Sequence, residues 1–145
     1  MNEEIRIEIP GRPVPWSVNI GRRGGYGVLL TPERLRDWQE FATLMATRAM
    51  RGRKPFTGPV SLSFTVIFGI PKGWNKATKK AAAEGRIFYA VVPDLTNLLK
   101  ATEDCFTKAG VWNDDCQVVY QETLKRYGET PMVSVIVRPI EEVAG

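Results

Sequence analysis

The sequence predicts an α+β domain, a mixed sheet backed by helices, with residues 1–145 forming a single unit. Three observations carry this. Residues 59–69 set Val60, Leu62, Phe64, Val66 and Phe68 against Ser61, Ser63 and Thr65, the two-residue period of a half-buried strand. Residues 31–50 and 94–110 instead space their apolar side chains as helices do, between recognisable start and stop signals. The periods follow one another as strand, helix, strand, short helix, helix, strand, strand, with no internal repeat. At 145 residues, 43% hydrophobic and 25% charged, the chain can build one core and is too short to expect two.

Each element has its own justification. Ile5, Ile7 and Ile9 alternate with Arg6 and Glu8, so residues 4–9 read as a half-buried strand. Residues 11–27 are rich in Gly and Pro and read as a mobile loop, whose Arg22, Arg23 and Tyr26 would suit a flexible arm against a phosphate backbone. Thr31-Pro32-Glu33 supplies an N-cap, a proline at the first helical position and an acid in the first turn. Leu35, Trp38, Ala42, Met45 and Ala49 then share one stripe to about residue 50. The strand over 59–69 follows. After Pro71, Asn75 can cap a short helix that Gly85 ends. Residues 116–127 and 132–138 read as two strands reversing around Gly128 and Pro131, a hairpin.

Composition narrows the chemistry. A net charge of +4 permits an anionic partner without requiring one. From Arg51 to Ala90 eight Lys or Arg face the lone acid Glu84, which makes Lys72, Lys76, Lys79 and Lys80, with Trp74 among them, a candidate nucleic-acid surface; a solvated helix face is the plain alternative. The chain has no histidine, so His-based triads and imidazole-ligated zinc are excluded, and acid–base work would fall to carboxylates, lysine or metal-bound water. Cys105 and Cys116 read as reduced thiols, and neither a signal peptide nor a membrane-spanning run is evident. These features predict a soluble cytoplasmic protein.

Residues 93–115 hold the densest chemistry. Pro93 disfavours helix before it, Asp94 is a good N-cap, and Lys108 with Gly110 marks the end. Leu95, Leu98, Leu99, Thr102, Cys105 and Phe106 fall on one side; Thr96, Asn97, Lys100, Glu103, Asp104 and Lys108 fall on the other. Asp94 at the start, and Asp114 and Asp115 after a Gly-Val-Trp-Asn turn, could gather oxygens for a hard divalent cation. Magnesium takes only one or two carboxylates, so Asp94 with Asp115 would suffice. Asp114 and Asp115 cannot be told apart by spacing. Lys100 could stabilise charge on a phosphate, and Asn97 could orient a water or a ligand.

Asp94-Leu95-Thr96-Asn97-Leu98-Leu99-Lys100, followed by Thr107-Lys108-Ala109-Gly110-Val111-Trp112-Asn113-Asp114-Asp115-Cys116-Gln117-Val118-Val119, resembles the signature of the RusA family of Holliday-junction resolvases. That family shows D-x-D-N-x-x-K, then W-x-D-D-x-Q-V at about this separation. Gly11-Arg12-Pro13-Val14-Pro15 and Leu30-Thr31-Pro32 extend the match more weakly. Where the family has its second aspartate, this chain has Thr96. The resemblance implies a RusA-like fold and a Mg²⁺-dependent endodeoxyribonuclease, with Mn²⁺ as an alternative ion. It would resolve four-way junctions by paired nicks, as a homodimer, in bacterial or prophage recombination and repair. Asp94 and Asp115 would serve the metal and Lys100 catalysis. The Trp38/Met45 stripe and the Val60–Phe68 strand offer apolar surface for a subunit contact. Two other readings stand beside this one: a weakened, junction-binding member of the family, and a generic interaction domain in which Asp94 only caps a helix.

Overall fold

The structure, a computed structural model, describes residues 4–143; Met1–Glu3, which contributed to the reading of the N-terminus, lie outside them. Strands β1 (Ile5–Pro10), β4 (Val60–Gly69), β5 (Val118–Gly128) and β6 (Met132–Pro139) form one sheet in the order β1-β6-β4-β5. A separate two-stranded ribbon contains β2 (Asn19–Arg23) and β3 (Tyr26–Leu30). Helices α1 (Glu33–Met50) and α3 (Leu95–Lys108) back the sheet, and the short α2 (Lys76–Ala83) precedes α3. The α+β architecture is the expected one.

The core forms where the three alternating strands meet the two helix stripes. Ile5, Ile7 and Ile9 of β1, Val133, Val135 and Val137 of β6, and Val60 to Phe68 on alternate positions of β4 are all buried. They pack with Leu35, Trp38, Ala42, Ala46 and Met50 of α1 and Leu98, Leu99, Ala101, Cys105 and Phe106 of α3. Burying one such aliphatic or aromatic side chain is worth roughly 1.5–3 kcal/mol. Asn75 caps α2, its side chain accepting from the Thr78 N–H at 2.8 Å, and Gly85 closes that helix at φ +77°. The α1 boundary falls one residue later than expected: Pro32, not Thr31, occupies the cap position, and no side chain caps this helix.

Two expectations are corrected. Residues 11–27 are not wholly loop, because β2 and β3 pair antiparallel through an Arg23-Gly24-Gly25-Tyr26 turn. Gly24 and Gly25 have φ of +55° and +84°, the two positive values a tight type I′ reversal needs. Nor do β5 and β6 form a hairpin. β4 lies between them, parallel to β5 and antiparallel to β6. β4 carries the longest apolar alternation and takes the centre, so the chain leaving β5 must pass over its end. Gly128 permits this crossing: a Cβ there would lie 2.5 Å from Ile67 Cγ2 on β4.

The parallel register has a consequence for the site. Gln121, Thr123 and Lys125 of β5 stand beside Leu62, Phe64 and Val66, on the same face of the sheet. The apolar face therefore ends in a polar margin at β5, next to α3. Among the described residues, no helix is long and apolar enough to cross a membrane.

Candidate active site

Asp94 caps α3 as expected. Its Oδ2 accepts from the Asn97 backbone N–H at 3.3 Å and its Oδ1 from the Asn97 side-chain amide at 3.0 Å. Asn97 thus holds the Asp94 carboxylate, and its own carbonyl accepts from the Trp16 N–H at 2.9 Å. The Lys100 ammonium sits 3.6 Å from the centroid of the Trp16 ring. Asp94, Asn97 and Lys100 lie on the first two turns of one helix with Trp16 against them. Trp16 carries no signal in the sequence, since an isolated tryptophan among prolines has no period to betray it.

The approach to Asp94 is held by β5. The Lys125 ammonium donates to the carbonyls of Val91 at 2.8 Å and Pro93 at 3.1 Å, and lies 5.3 Å from the Tyr89 ring. Tyr89 donates its hydroxyl to the Val92 carbonyl at 3.0 Å and stacks on Phe68, with ring centroids 3.9 Å apart. Residues 89–93 are in this way strapped to the polar margin of the sheet. Lys125 carries no such signal either; inside a mostly exposed strand it shows no function until the strand order is known.

The second motif folds around Gln117. Its amide nitrogen donates to the carbonyls of Phe56 and Gly58, and its oxygen accepts from the N–H groups of Asn113 and Asp114. Val111 and Trp112 are buried beneath, and the Trp112 indole donates to the Thr107 hydroxyl at 2.7 Å. A single 3₁₀ turn, Asp115–Gln117, follows. The two aspartates differ in environment. Asp114 Oδ1 accepts from the Cys116 N–H at 2.9 Å, and that hydrogen bond, ahead of those shared with the Cys116 and Asp115 side chains, holds its carboxyl below the usual range. The Asp115 carboxyl is raised, first by the hydrogen bond it shares with Asp114, then by desolvation and the charges of Asp114 and Asp104.

Glu103 completes this acidic end. Half-buried on α3, its carboxyl is pushed up to about 7 by desolvation and by the charges of Asp115 and Asp104. It lines a hollow of about 380 Å³ with Asp115 and Val118–Gln121. A second hollow, of about 480 Å³, joins Trp16, Asp104, Asp114 and Asp115. Asp94 and Asn97 line a third. The structure therefore brings Asp94, Asn97 and Lys100 together, and Asp114 and Asp115 together, with Trp16 lining hollows of both groups. Among the described residues, no three His, Cys, Asp or Glu side chains gather closely enough to enclose a metal by themselves.

The predicted DNA-contacting residues lie elsewhere. Arg22 and Arg23 end β2 at the tip of the ribbon, Lys72 lies in the turn before α2, and Lys76, Lys79 and Lys80 ride on α2. All are exposed except Lys79, which is half-buried, and none lines the three hollows.

A sequence profile described as Endodeoxyribonuclease RusA matches residues 10–138, a span that includes both motifs, the Trp16 segment and Lys125. The Bacillus subtilis (strain 168) protein YqaN, itself uncharacterized, is 29% identical over 139 residues, covering 94% of this chain and 96% of its own. On the extent of that match, the chain belongs to the RusA family of endodeoxyribonucleases.

Proposed function

We propose that this protein is a Mg²⁺-dependent nuclease that resolves four-way DNA junctions by paired nicks as a homodimer, in bacterial or prophage recombination and repair. The observation that carries the reading is the acidic end at the second motif, where desolvation with the charges of Asp115 and Asp104 raises the Glu103 carboxyl, and the shared hydrogen bond with Asp114, desolvation and the charges of Asp114 and Asp104 raise that of Asp115. Unrelieved repulsion among hard oxygen donors fits a divalent cation, and magnesium needs only one or two of them. Asp115 would hold the ion, with Asp94 as the partner from the first motif and Asp114 braced as the cap of its turn; Mn²⁺ would suit the same donors. When bound, the ion supplies neutralising charge at the phosphate and acidifies water. Asn97 fixes the carboxylate of Asp94. Lys100 forms no ion pair among the described residues and rests on an aromatic face, so its charge is available to oxygens that become more negative as the phosphodiester breaks.

The test is cleavage of a synthetic four-way junction with Mg²⁺, beside binding in EDTA. Asp115→Asn should lower cleavage by more than 100-fold and leave EDTA binding intact; wild-type rates in that variant would sink the assignment. A second reading is favoured by Thr96, a neutral hydroxyl where the family carries a carboxylate: a member that binds junctions and cuts them weakly. Slow wild-type cleavage accelerated by Thr96→Asp would support it.

Paired nicking of a two-fold substrate is most simply done by a C2 dimer with one site per subunit. The surface expected to form the contact is occupied, because Trp38 and Val60–Phe68 pack inside the chain. The exposed apolar side chains are instead Ile20, Tyr26 and Leu29 of the ribbon and Val119, Tyr120 and Leu124 of the edge strand β5. Sedimentation equilibrium should give twice the 16.3 kDa chain mass; a monomer with and without junction would argue against paired nicking.

A further inference from the structure

We propose that the hollow of about 400 Å³ at the start of α3 seats a DNA phosphodiester between the guanidinium groups of Arg12 and Arg34, beside the phosphate to be cut. The inference rests on the nuclease reading above and adds to it a site for the neighbouring part of the strand. The two arginines come from different elements, Arg12 from the segment joining β1 to β2 and Arg34 from the first turn of α1. Asp94 lines the same hollow, yet neither arginine forms an ion pair with it or with any other described residue. Both Asp94 oxygens are engaged by Asn97 instead. Two cations thus line one hollow with a single carboxylate, Asp94, with which neither forms an ion pair. Arg34 is also poorly placed for helix stability, since a positive charge in a first turn opposes the helix dipole. Its position is better explained by a ligand than by folding.

The seat is built before any ligand arrives. The segment carrying Arg12 is tied at one end by the Gly11 N–H to the Pro131 carbonyl at 3.0 Å. At the other end the Trp16 N–H reaches Asn97. Pro13, buried between these ties, and Pro15 restrict the backbone further. The Arg12 guanidinium carbon lies 5.8 Å from the centroid of the buried Phe68 ring, which steadies the side chain and leaves its edge N–H groups for oxygen acceptors. Guanidinium forks match phosphate oxygens in pairs, which a flexible ammonium does not. Trp16 lines both this hollow and the one holding Asp114 and Asp115, so a strand seated here continues toward the acidic end.

The experiment measures junction binding in EDTA by fluorescence anisotropy across a salt series, for wild type, Arg12→Ala/Arg34→Ala and Arg12→Lys/Arg34→Lys, with folding checked by circular dichroism. Each phosphate contact contributes about 0.9 to the slope of log affinity against log salt. The alanine pair, losing one seated phosphate, should flatten the slope by about 0.9 and weaken binding about tenfold at low salt. The lysine pair should keep most of the slope while losing affinity. Unchanged slope and affinity in a folded alanine pair overturns the seat, whatever the cleavage result. Wild type that binds but never cuts, with the slope still falling in the alanine pair, overturns the nuclease reading and leaves the seat standing. Wild type that binds no DNA overturns both.

Discussion

Replacing Lys125 with methionine keeps an unbranched side chain on β5 but removes the ammonium that donates to the Val91 and Pro93 carbonyls at 2.8 and 3.1 Å. A hydrogen bond from a charged donor is worth about 1.5–3 kcal/mol. The full sum does not apply, because Val91 is 59% exposed and its carbonyl can turn to water. The contact with the Tyr89 ring adds about 0.5 kcal/mol at such a partly exposed place. A net loss of about 2 kcal/mol follows, which would populate an open strap roughly 30-fold more than in the wild type. Because Asp94 follows the strap directly, opening displaces its carboxylate from Asn97.

Two measurements read this out. Amide exchange at Asn97, whose N–H donates to Asp94 Oδ2, should accelerate by about that factor. Junction cleavage should fall only by the fraction of molecules whose strap is open, while binding in EDTA is unchanged, since the strap offers no cation to phosphate. Lys125→Arg, which keeps the charge, should restore most of both. Wild-type exchange at Asn97 together with wild-type cleavage in Lys125→Met would refute the idea that this lysine places Asp94.

Other outcomes follow from the same geometry. Glu103 has a folded pKa of about 7 against an ordinary 4.5, so its ionisation costs stability progressively as pH rises between those values. After discounting for its half exposure, Glu103→Gln should gain about 1–2 kcal/mol at pH 8 and nothing near pH 4, seen as a rise of a few degrees in the thermal midpoint at the higher pH only. Alanine at Lys76, Lys79 and Lys80 should flatten the salt dependence of junction binding by about 2.7 if α2 contacts three phosphates; an unchanged slope would make α2 a solvated face. Cys105 is buried, its thiol donates to the Ala101 carbonyl at 3.2 Å, and burial pushes its pKa up to about 11. A thiol reagent should therefore label exposed Cys116 in the native protein and Cys105 only after unfolding, as peptide mapping would show.

What could be read from the chain and what could not divides along the range of the interactions involved. The caps at Asp94 and Asn75 and the alternation in β4 depend on residues close in sequence, and those features appear where expected. The β2–β3 ribbon was equally local. Gly24-Gly25 between Arg23 and Tyr26 is a reversal signal, but the flanking segments lack the strong alternation that would mark them as strands. Strand order is a different matter. The short link from Gly128 to Met132 looks like a hairpin until β4 competes for the place between β5 and β6, and that outcome depends on the whole core. Trp16 and Lys125 depend on the strand order and chain path in turn. Asp114 and Asp115 have the same chemistry and differ only in which one caps the turn at Cys116.

Thr96 stands where the signature these residues resemble has its second aspartate, and its place on α3 makes its replacement informative. It occupies the second position of α3, exposed, and takes no part in the cap that Asp94 supplies. An aspartate there would be favoured by the helix dipole by about 0.3–1 kcal/mol. Like-charge repulsion from Asp94 offsets part of that gain. Helix stability therefore gives threonine no clear advantage, and Thr96→Asp should fold normally. Thr96 also lies on nearly the same side of α3 as Glu103, seven residues and about 10 Å further along at ~1.5 Å per residue. Negative charge on this side of the helix thus sits toward Asp115 rather than beside Asp94. Titrating Mg²⁺ against cleavage separates two consequences. If Asp94 and Asp115 suffice, Thr96→Asp leaves the maximal rate and the half-saturating Mg²⁺ unchanged. If the missing carboxylate limits the enzyme, the substitution lowers the Mg²⁺ requirement and raises the rate, with junction affinity in EDTA unaltered or slightly weaker from the added negative charge.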